Sequence, residues 1–337
     1  TKYAKKVGKN LIGVSDDAMK SLLHYSWPGN IRELEQEIFG PVIHIIRFSM
    51  DDFDKVINEI NSSGYGLTQG LHSRIEANAK KVYQQINAGN IYINRNMVGA
   101  VVGVQPFGGE GMSGTGPKAG GPFYLYRLVN SDLYPEENYQ QRKYDFFKLD
   151  RFLTFLSKCG FNSLEQQELY NYGESMRSAS PLLKQIDLPG PTGESNFMFF
   201  AKRGTIACFA GNIIDYAKQV ICALACGNDV IIEDNEYSQV FAKILPENCS
   251  IVDSIATVPV INAALIANSY AGVAELKSDL ARRHGTIVVN VYEQSNSHYN
   301  LHLLVTEKTV SINTTATGGN VHLMSIKDTV DTFTPST

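Results

Sequence analysis

The sequence predicts an α/β fold built from two sheet-and-helix units, and three features carry that expectation. Apolar strand-like runs alternate with amphipathic helical stretches, the pattern of a layered domain with a largely parallel sheet. The alternation lapses after Leu128 and resumes from Leu188. Within the first unit, a non-repetitive Gly-rich run, Gln105 to Pro122 (QPFGGEGMSGTGPKAGGP), follows a strand-like segment, Asn90 to Asn94. Glycine tolerates positive φ and lets another group approach the main chain, and this run also carries Phe107 and Met112, so it reads as a shaped loop rather than a linker.

Taken in order, residues 1–35 read as helices. Apolar residues recur at helical spacing from Asp16 to Tyr25, Ser15 suits an N-cap, and Pro28-Gly29 breaks the helix. Val42 to Phe48 is expected as a strand, Asp51 to Asn61 as a helix, and Leu67 to Ser73 as a strand beyond the turn Ser62 to Gly66. Ile75 to Ile86 follows as a helix and Asn90 to Asn94 as a strand. Residues 131–187 read as a connecting segment, polar and aromatic to about Phe147 and helical from Phe152 to Arg177. The second unit, residues 188–300, begins with LPGPTGESN. A strand Thr205 to Ala210, a helix Tyr216 to Ala225, a strand Val230 to Ile232 and a strand Thr286 to Tyr292 are expected within it. Residues 301–330 close the chain, starting with a hairpin-like pair, Leu301 to Val305 and Thr309 to Ile312.

Three motifs, EIFGP (Glu37 to Pro41), AGNIYINRN (Ala88 to Asn96) and QPFGG (Gln105 to Gly109), resemble the C-terminal half of an aldehyde dehydrogenase catalytic domain. The longer stretch NRNMVGAVVGVQPFGGEGMSGTGPKAGGPFYLYRL is similar to the glutamate-semialdehyde (pyrroline-5-carboxylate) dehydrogenase module of the proline utilization A family. The likeness is dense from Glu37 to Leu128 and looser beyond. It implies a catalytic half-domain over residues 36–130 and a second, Rossmann-like, aldehyde-dehydrogenase-like domain after it. TVSINTTATGGNVHLMSI (Thr309 to Ile326) resembles the flap that closes over the dehydrogenase site in that family.

The implied activity is oxidation of L-glutamate γ-semialdehyde to L-glutamate with NAD, the parent family also using FAD in a proline dehydrogenase domain that this chain does not carry. By resemblance, Glu37 accepts the hydroxyls of the nicotinamide ribose, Phe39 packs beside that ribose, Gly99 and Ala100 hold the substrate carboxylate on backbone N–H groups, and Phe107 packs on its aliphatic chain. Such roles suit the residue types: an ionised acid only accepts, and successive small residues leave amides open to an anion. An aldehyde dehydrogenase also needs a cysteine nucleophile and a carboxylate base. In the family both precede EIFGP, and that part is absent from this chain, which is therefore expected to be inactive alone.

SWPGNIRELE (Ser26 to Glu35) resembles the lid of the AAA+ domain of bacterial enhancer-binding activators, with Arg32 at the nucleotide-sensor position. No GxxxxGK[ST] phosphate loop accompanies it, so ATP hydrolysis is not expected. This segment supports an alternative reading as a non-catalytic fusion or interaction protein.

Five cysteines (Cys159, Cys208, Cys222, Cys226, Cys249) lack paired metal-ligand spacing and read as buried small hydrophobes in a reducing, cytoplasmic setting. His298 and His302 do not share a helix, so no metal is expected. A formal charge of -4 provides no general attraction to nucleic acid, and no apolar run reaches membrane-spanning length. The family implies a homo-oligomer acting on a small-molecule substrate. Glu233 and Asp234 stand where a cofactor-binding aldehyde dehydrogenase has a Lys-Pro pair, so no NAD site is expected in the second unit. The chain begins at Thr1, without an initiator Met, which fits further sequence upstream.

Overall fold

The computed structural model describes Lys20 and residues 47–97, 100–128, 139–294 and 298–315. The chain divides into two units, Thr1–Gly64 and Tyr65–Thr337. In the first, Ser49 accepts the Asp51 N–H at 3.3 Å and opens a single 3-10 turn, which runs into helix α1, Phe53–Ser62. Of the expected strand Val42 to Phe48, residues 42–46 lie outside the described residues, and Arg47 and Phe48 are not in a strand.

The second unit begins with the short strands β1 (Tyr65–Gly66) and β2 (Thr68–Leu71), helix α2 (Glu76–Gln85) and strand β3 (Asn90–Ile93). Strand β2 is shorter than expected because Ser73 is drawn out of the ladder. Its N–H donates to Asn94 Oδ1 and its carbonyl accepts from Asn94 Nδ2, and Asn94 itself adopts φ 55°. All four residues of β3 are buried, and the strand pairs in parallel on both sides, so it reads as a continuous apolar run without alternation.

Strands β4 (Glu110–Gly111) and β5 (Tyr139–Gln141) precede helices α3 (Phe147–Phe155) and α4 (Ser163–Ala179). The single helix expected from Phe152 is thus two, separated at Gly160, which takes φ 77°. A capping box starts α4: Asn162 Oδ1 accepts from the N–H groups of Leu164 and Glu165, and Glu165 returns the bond to Asn162 N–H at 2.8 Å.

Strands β6 (Lys184–Leu188) and β7 (Glu194–Lys202) lead into β8 (Thr205–Phe209), helix α5 (Ile213–Ala225), β9 (Asp229–Glu233), β10 (Ser250–Val252) and β11 (Ala263–Ile266). Helix α6 (Val273–Ala281), β12 (Val289–Tyr292) and β13 (Val305–Asn313) complete the described chain. The hairpin expected at the end is a correction: Leu301–Leu304 is a 3-10 turn and residues 305–313 form one unbroken strand. Its antiparallel partner is β7, across nine residue pairs from Val305↔Lys202 to Asn313↔Glu194. Sequence patterning missed β7 because Phe197, Met198, Phe199 and Phe200 are all buried, and a short solid apolar run has no period to read.

Among the described residues two larger sheets emerge. One, in the order β10-β9-β8-β11-β12, is wholly parallel, and the chain reverses direction of growth between β8 and β11, as in a Rossmann-like unit. The other, in the order β2-β3-β13-β7-β6-β5, joins strands from both ends of the second unit. Helix α5 sits at the centre of the main core, with Ala217, Val220, Ile221 and Cys222 wholly buried. It packs on α4, where Tyr172 Oη lies 3.1 Å from Cys222 Sγ. The described chain is an α/β fold in which the Rossmann-like sheet is accompanied by a mixed sheet, and among its residues no helix is long and apolar enough to cross a membrane.

Candidate functional site

The Gly-rich loop is ordered by polar side chains that reach it from both neighbouring segments. Phe107 and Ala119 exchange backbone bonds of 2.9 Å, which closes the loop on itself. Strand β4 pairs antiparallel with β1, and Ser113 Oγ accepts the Gly66 N–H at 3.1 Å. Gly89 is required by the approach of two main chains: a Cβ there would lie 1.9 Å from the carbonyl oxygen of Gly108.

At the centre of this contact is Lys118, 2% exposed. Its Nζ donates to Gly89 O, to Gly108 O at 3.0 Å and to Asn90 Oδ1 at 3.1 Å. Asn90 in turn donates to Pro106 O at 2.8 Å and accepts the Gly108 N–H at 3.0 Å. Strand β13 completes the frame, since Thr309 Oγ1 donates to Pro106 O and Glu307 accepts the Lys118 N–H, each at 3.0 Å. Burial pushes the Lys118 amine down to about 7, against the upward pull of Glu110 and Glu307.

A cleft opens between this loop and the residues that precede and begin β13, lined in part by Thr115, Lys118, Arg203, His302 and Glu307. Arg203 bridges the two sides, donating to Leu303 O at 2.6 Å, Val305 O at 2.8 Å and Thr115 O at 3.3 Å. His302 lies between the rings of Phe123 and Phe200, with centroids 5.0 and 5.4 Å away. Burial pushes its imidazole down to about 3, so it is neutral at physiological pH and is not charged to act as a general acid. The cleft therefore combines the donors of Arg203 with a neutral imidazole, the buried Lys118 amine and the side chains of Glu110 and Glu307.

Of the sequence-derived site residues, Arg32, Glu37, Phe39 and Gly99 lie outside the described residues. Ala100 is exposed at the start of the loop system, and its neighbour Val101 donates its N–H to Gln105 Oε1 at 3.0 Å. Phe107 is half-buried two residues beyond Gln105. Neither Ala100 nor Phe107 lines the cleft, which is bounded by the far side of the same loop. Lys118, Gln105 and Glu194, the polar residues that hold this loop, were not singled out by sequence reasoning. A Lys flanked by Pro117 and Gly120-Gly121 in a run whose other charged residue is Glu110 was the available signal for the first.

No cysteine is placed as a nucleophile. Burial pushes the Cys159 thiol up to about 11 and Cys222 to about 12, raises Cys208 and Cys226 well above the ordinary range, and raises Cys249. A rise from 9.0 to about 11 cuts the thiolate fraction at neutral pH about a hundredfold. Iodoacetamide at pH 7.5 is thus expected to label Cys159 in the native chain about a hundredfold more slowly than in the urea-unfolded chain, and Cys249 also more slowly, read by peptide mass. Rapid labelling of a single native cysteine would contradict this. Among the described residues no group of three His, Cys, Asp or Glu side chains could hold a metal.

The crevice at the β8/β11 switch point, where a Rossmann-like unit receives a dinucleotide, does not fit one here. The two loops that would flank a diphosphate are packed together: a Cβ on Gly211 would lie 2.3 Å from Ser269 O, and Ser269 Oγ accepts the Gly211 N–H and donates to Asp215. The N-terminus of α5 is already capped, Asn212 Oδ1 accepting from Asp215 N. Glu233 accepts the Ile255 N–H and Asp234 accepts from Gln239, so both acids serve the fold.

Comparison with known proteins relates the loop to a family. Residues 19–131 match the Aldehyde dehydrogenase family. The matched stretch includes β1 to β4 and the whole Gly-rich loop, and it begins at residue 19, within the N-terminal residues 1–35. Over 310 residues the chain is 39% identical to Bifunctional protein PutA of Escherichia coli (strain K12), covering 87% of this chain and 23% of that protein. Over 96 residues it is 48% identical to 1-pyrroline-5-carboxylate dehydrogenase of Geobacillus sp. (strain WCH70), covering 28% of this chain and 18% of that protein. The structure of Proline Utilization A from Corynebacterium freiburgense superimposes with a TM-score of 0.55 over 82% of this chain and 25% of that one, at 21% identity, a likeness of fold. The chain spans about a quarter of the length of the PutA relatives it matches, 23% in the Escherichia coli case.

Proposed function

We propose that this chain is the C-terminal portion of an NAD-dependent dehydrogenase that oxidises L-glutamate γ-semialdehyde to L-glutamate in proline catabolism. The observation that carries the reading is the 48% identity over 96 residues with a protein named 1-pyrroline-5-carboxylate dehydrogenase. In this reading Gly99 and Ala100 present backbone N–H groups to the substrate carboxylate, and Phe107 packs on its methylene chain, excluding water from the carbon to be oxidised. Glu37 and Phe39 hold the nicotinamide ribose. The cofactor, when bound, accepts the hydride. The nucleophile and the base belong to sequence not contained in this chain, which is inactive by itself, and the parent is a homo-oligomer in the cytoplasm. The activator-like reading of residues 1–35, with Arg32 at a sensor position, rests on SWPGNIRELE alone; a read of the source DNA across the codons for Arg32 to Ile38 tests it.

The dehydrogenase reading is tested by transplanting residues 37–128 in place of the matching segment of the Geobacillus enzyme. The chimera is expected to form NADH from pyrroline-5-carboxylate within about tenfold of the parent rate, since the reacting groups are supplied by the host. A folded chimera that binds NAD yet leaves pyrroline-5-carboxylate unoxidised would sink the assignment.

A further inference from the structure

We propose that Glu194, far along the chain from the loop it serves, is a positioning residue for the segment that carries Ala100 and Val101. Glu194 is the first residue of β7 and lies opposite Asn313 at the end of β13. Its Oε1 accepts from Gln105 Nε2 at 2.5 Å and from Asn196 Nδ2 at 2.9 Å, and its Oε2 meets Arg95 Nη1. Arg95 also donates to Ser311 Oγ on β13 at 2.6 Å and lies 5.4 Å from the Tyr92 ring centroid. The side chains of Arg95 and Glu194 are 17% and 16% exposed, so water screens the pair little.

The chemistry of the carboxylate gives this contact a direction. An ionised acid only accepts hydrogen bonds, so Gln105 must turn its NH₂ toward Glu194. That leaves Gln105 Oε1 facing the other way, where it accepts the Val101 N–H at 3.0 Å. Gln105 is 4% exposed and has no solvent to turn toward instead. The conformation of the loop next to Ala100 is therefore set by a charge on β7 acting through one buried amide. Backbone bonds complete the same loop: Val104 and Gln105 N–H both donate to Val101 O, and Gly103 N–H donates to Gly120 O. Arg95 offsets the acid, so the loop is held without a net negative charge beside a group that, in the reading above, receives a carboxylate. The inference rests on that reading for its functional meaning, but its test does not.

Amide hydrogen exchange on the full chain reads the loop directly. Glu194→Ala is expected to raise exchange at Val101, Gly103, Val104 and Gln105 by about tenfold, while the β3 and β13 amides keep their protection. Glu194→Gln retains an acceptor for Gln105 Nε2 and is expected to stay within about threefold of the native rates. Gln105→Ala alone and combined with Glu194→Ala are expected to give the same rates, since both residues act on one path. Unchanged loop exchange in Glu194→Ala overturns the proposal, as does an equal rise across β13, which would mark a residue that supports the sheet as a whole. Because no substrate or cofactor is present, failure of the chimera above would leave this result standing, and the reverse holds equally.

Discussion

Lys118→Met is expected to abolish a rise in stability with pH that the native chain shows between pH 7 and 9. In the unfolded chain the amine keeps its proton to about pH 10, while in the folded chain burial lowers that limit to about 7. Between these values folding releases a proton, so the unfolded state binds more protons and native stability increases by about 1.4 kcal/mol per pH unit. Below pH 7 both states are protonated and this contribution is flat. A thioether at the same position has nothing to titrate. Urea unfolding of both proteins at pH 7, 8 and 9 gives the comparison, and the native-minus-variant difference cancels the other titrating groups. Those include Tyr83, Tyr172 and Tyr299, whose phenols burial raises, and which act in the opposite sense near pH 10 and above. Parallel curves for the two proteins would show that the ammonium is stabilised by its three acceptors enough to erase the effect of burial. At pH 9 the variant is expected to be the less stable by about 2–3 kcal/mol, because Gly108 O loses its donor while Gly89 O and Asn90 Oδ1 keep one each, from Thr309 N–H and Gly108 N–H.

Gly89→Ala is expected to cost about 3 kcal/mol or more, at the upper end of what overpacking does. The added methyl would meet a backbone oxygen at 1.9 Å, and a carbonyl in a closed loop has no rotamer to escape into. Relieving the contact requires the start of β3 to part from the loop, which strains three bonds at once: Gly89 N–H to Gly66 O, Thr309 N–H to Gly89 O, and Lys118 Nζ to Gly89 O. Gly103→Ala is the control. It has nothing within 4 Å, so only its φ of +78° opposes the change, at about 1 kcal/mol. Thermal melts of the two variants should differ clearly in that order. Equal losses would mean that the loop yields to the methyl and is not clamped against β3.

Two kinds of element differed in how readable they were. Helices with an apolar period, such as α2 and α5, were legible to within a few residues, because an apolar face repeats every three to four positions whatever lies opposite. Strands buried on both faces were harder. Asn90 to Ile93 was readable because Gly89 and Asn94 bracket it, whereas Phe197 to Phe200, a solid apolar run between Gly193 and Gly204, has no period to read and was missed. The break at Gly160 and the continuity of β13 through Glu307 and Lys308 were equally hidden. Two charged residues in a row suggest a turn, yet Lys308 is buried, with its Nζ donating to Ile86 O at 2.5 Å.

The amino-acid sequence alone determined the α/β class and the Gly-rich loop, because each depends on residue types and local spacing. The five cysteines were readable as inert from their neighbours, since none has the paired spacing of metal ligands and each sits among apolar or loop residues; four are buried and Cys249 is half-buried. Only the tertiary structure decided what holds the loop. Lys118 and Gln105 acquire their roles from Asn90, Glu194 and Glu307, of which the last two lie 89 and 189 residues away from their partners in the chain. A hydrogen bond across such a distance leaves no period or motif behind, because either partner is an ordinary polar residue until the sheet brings the other within about 3 Å.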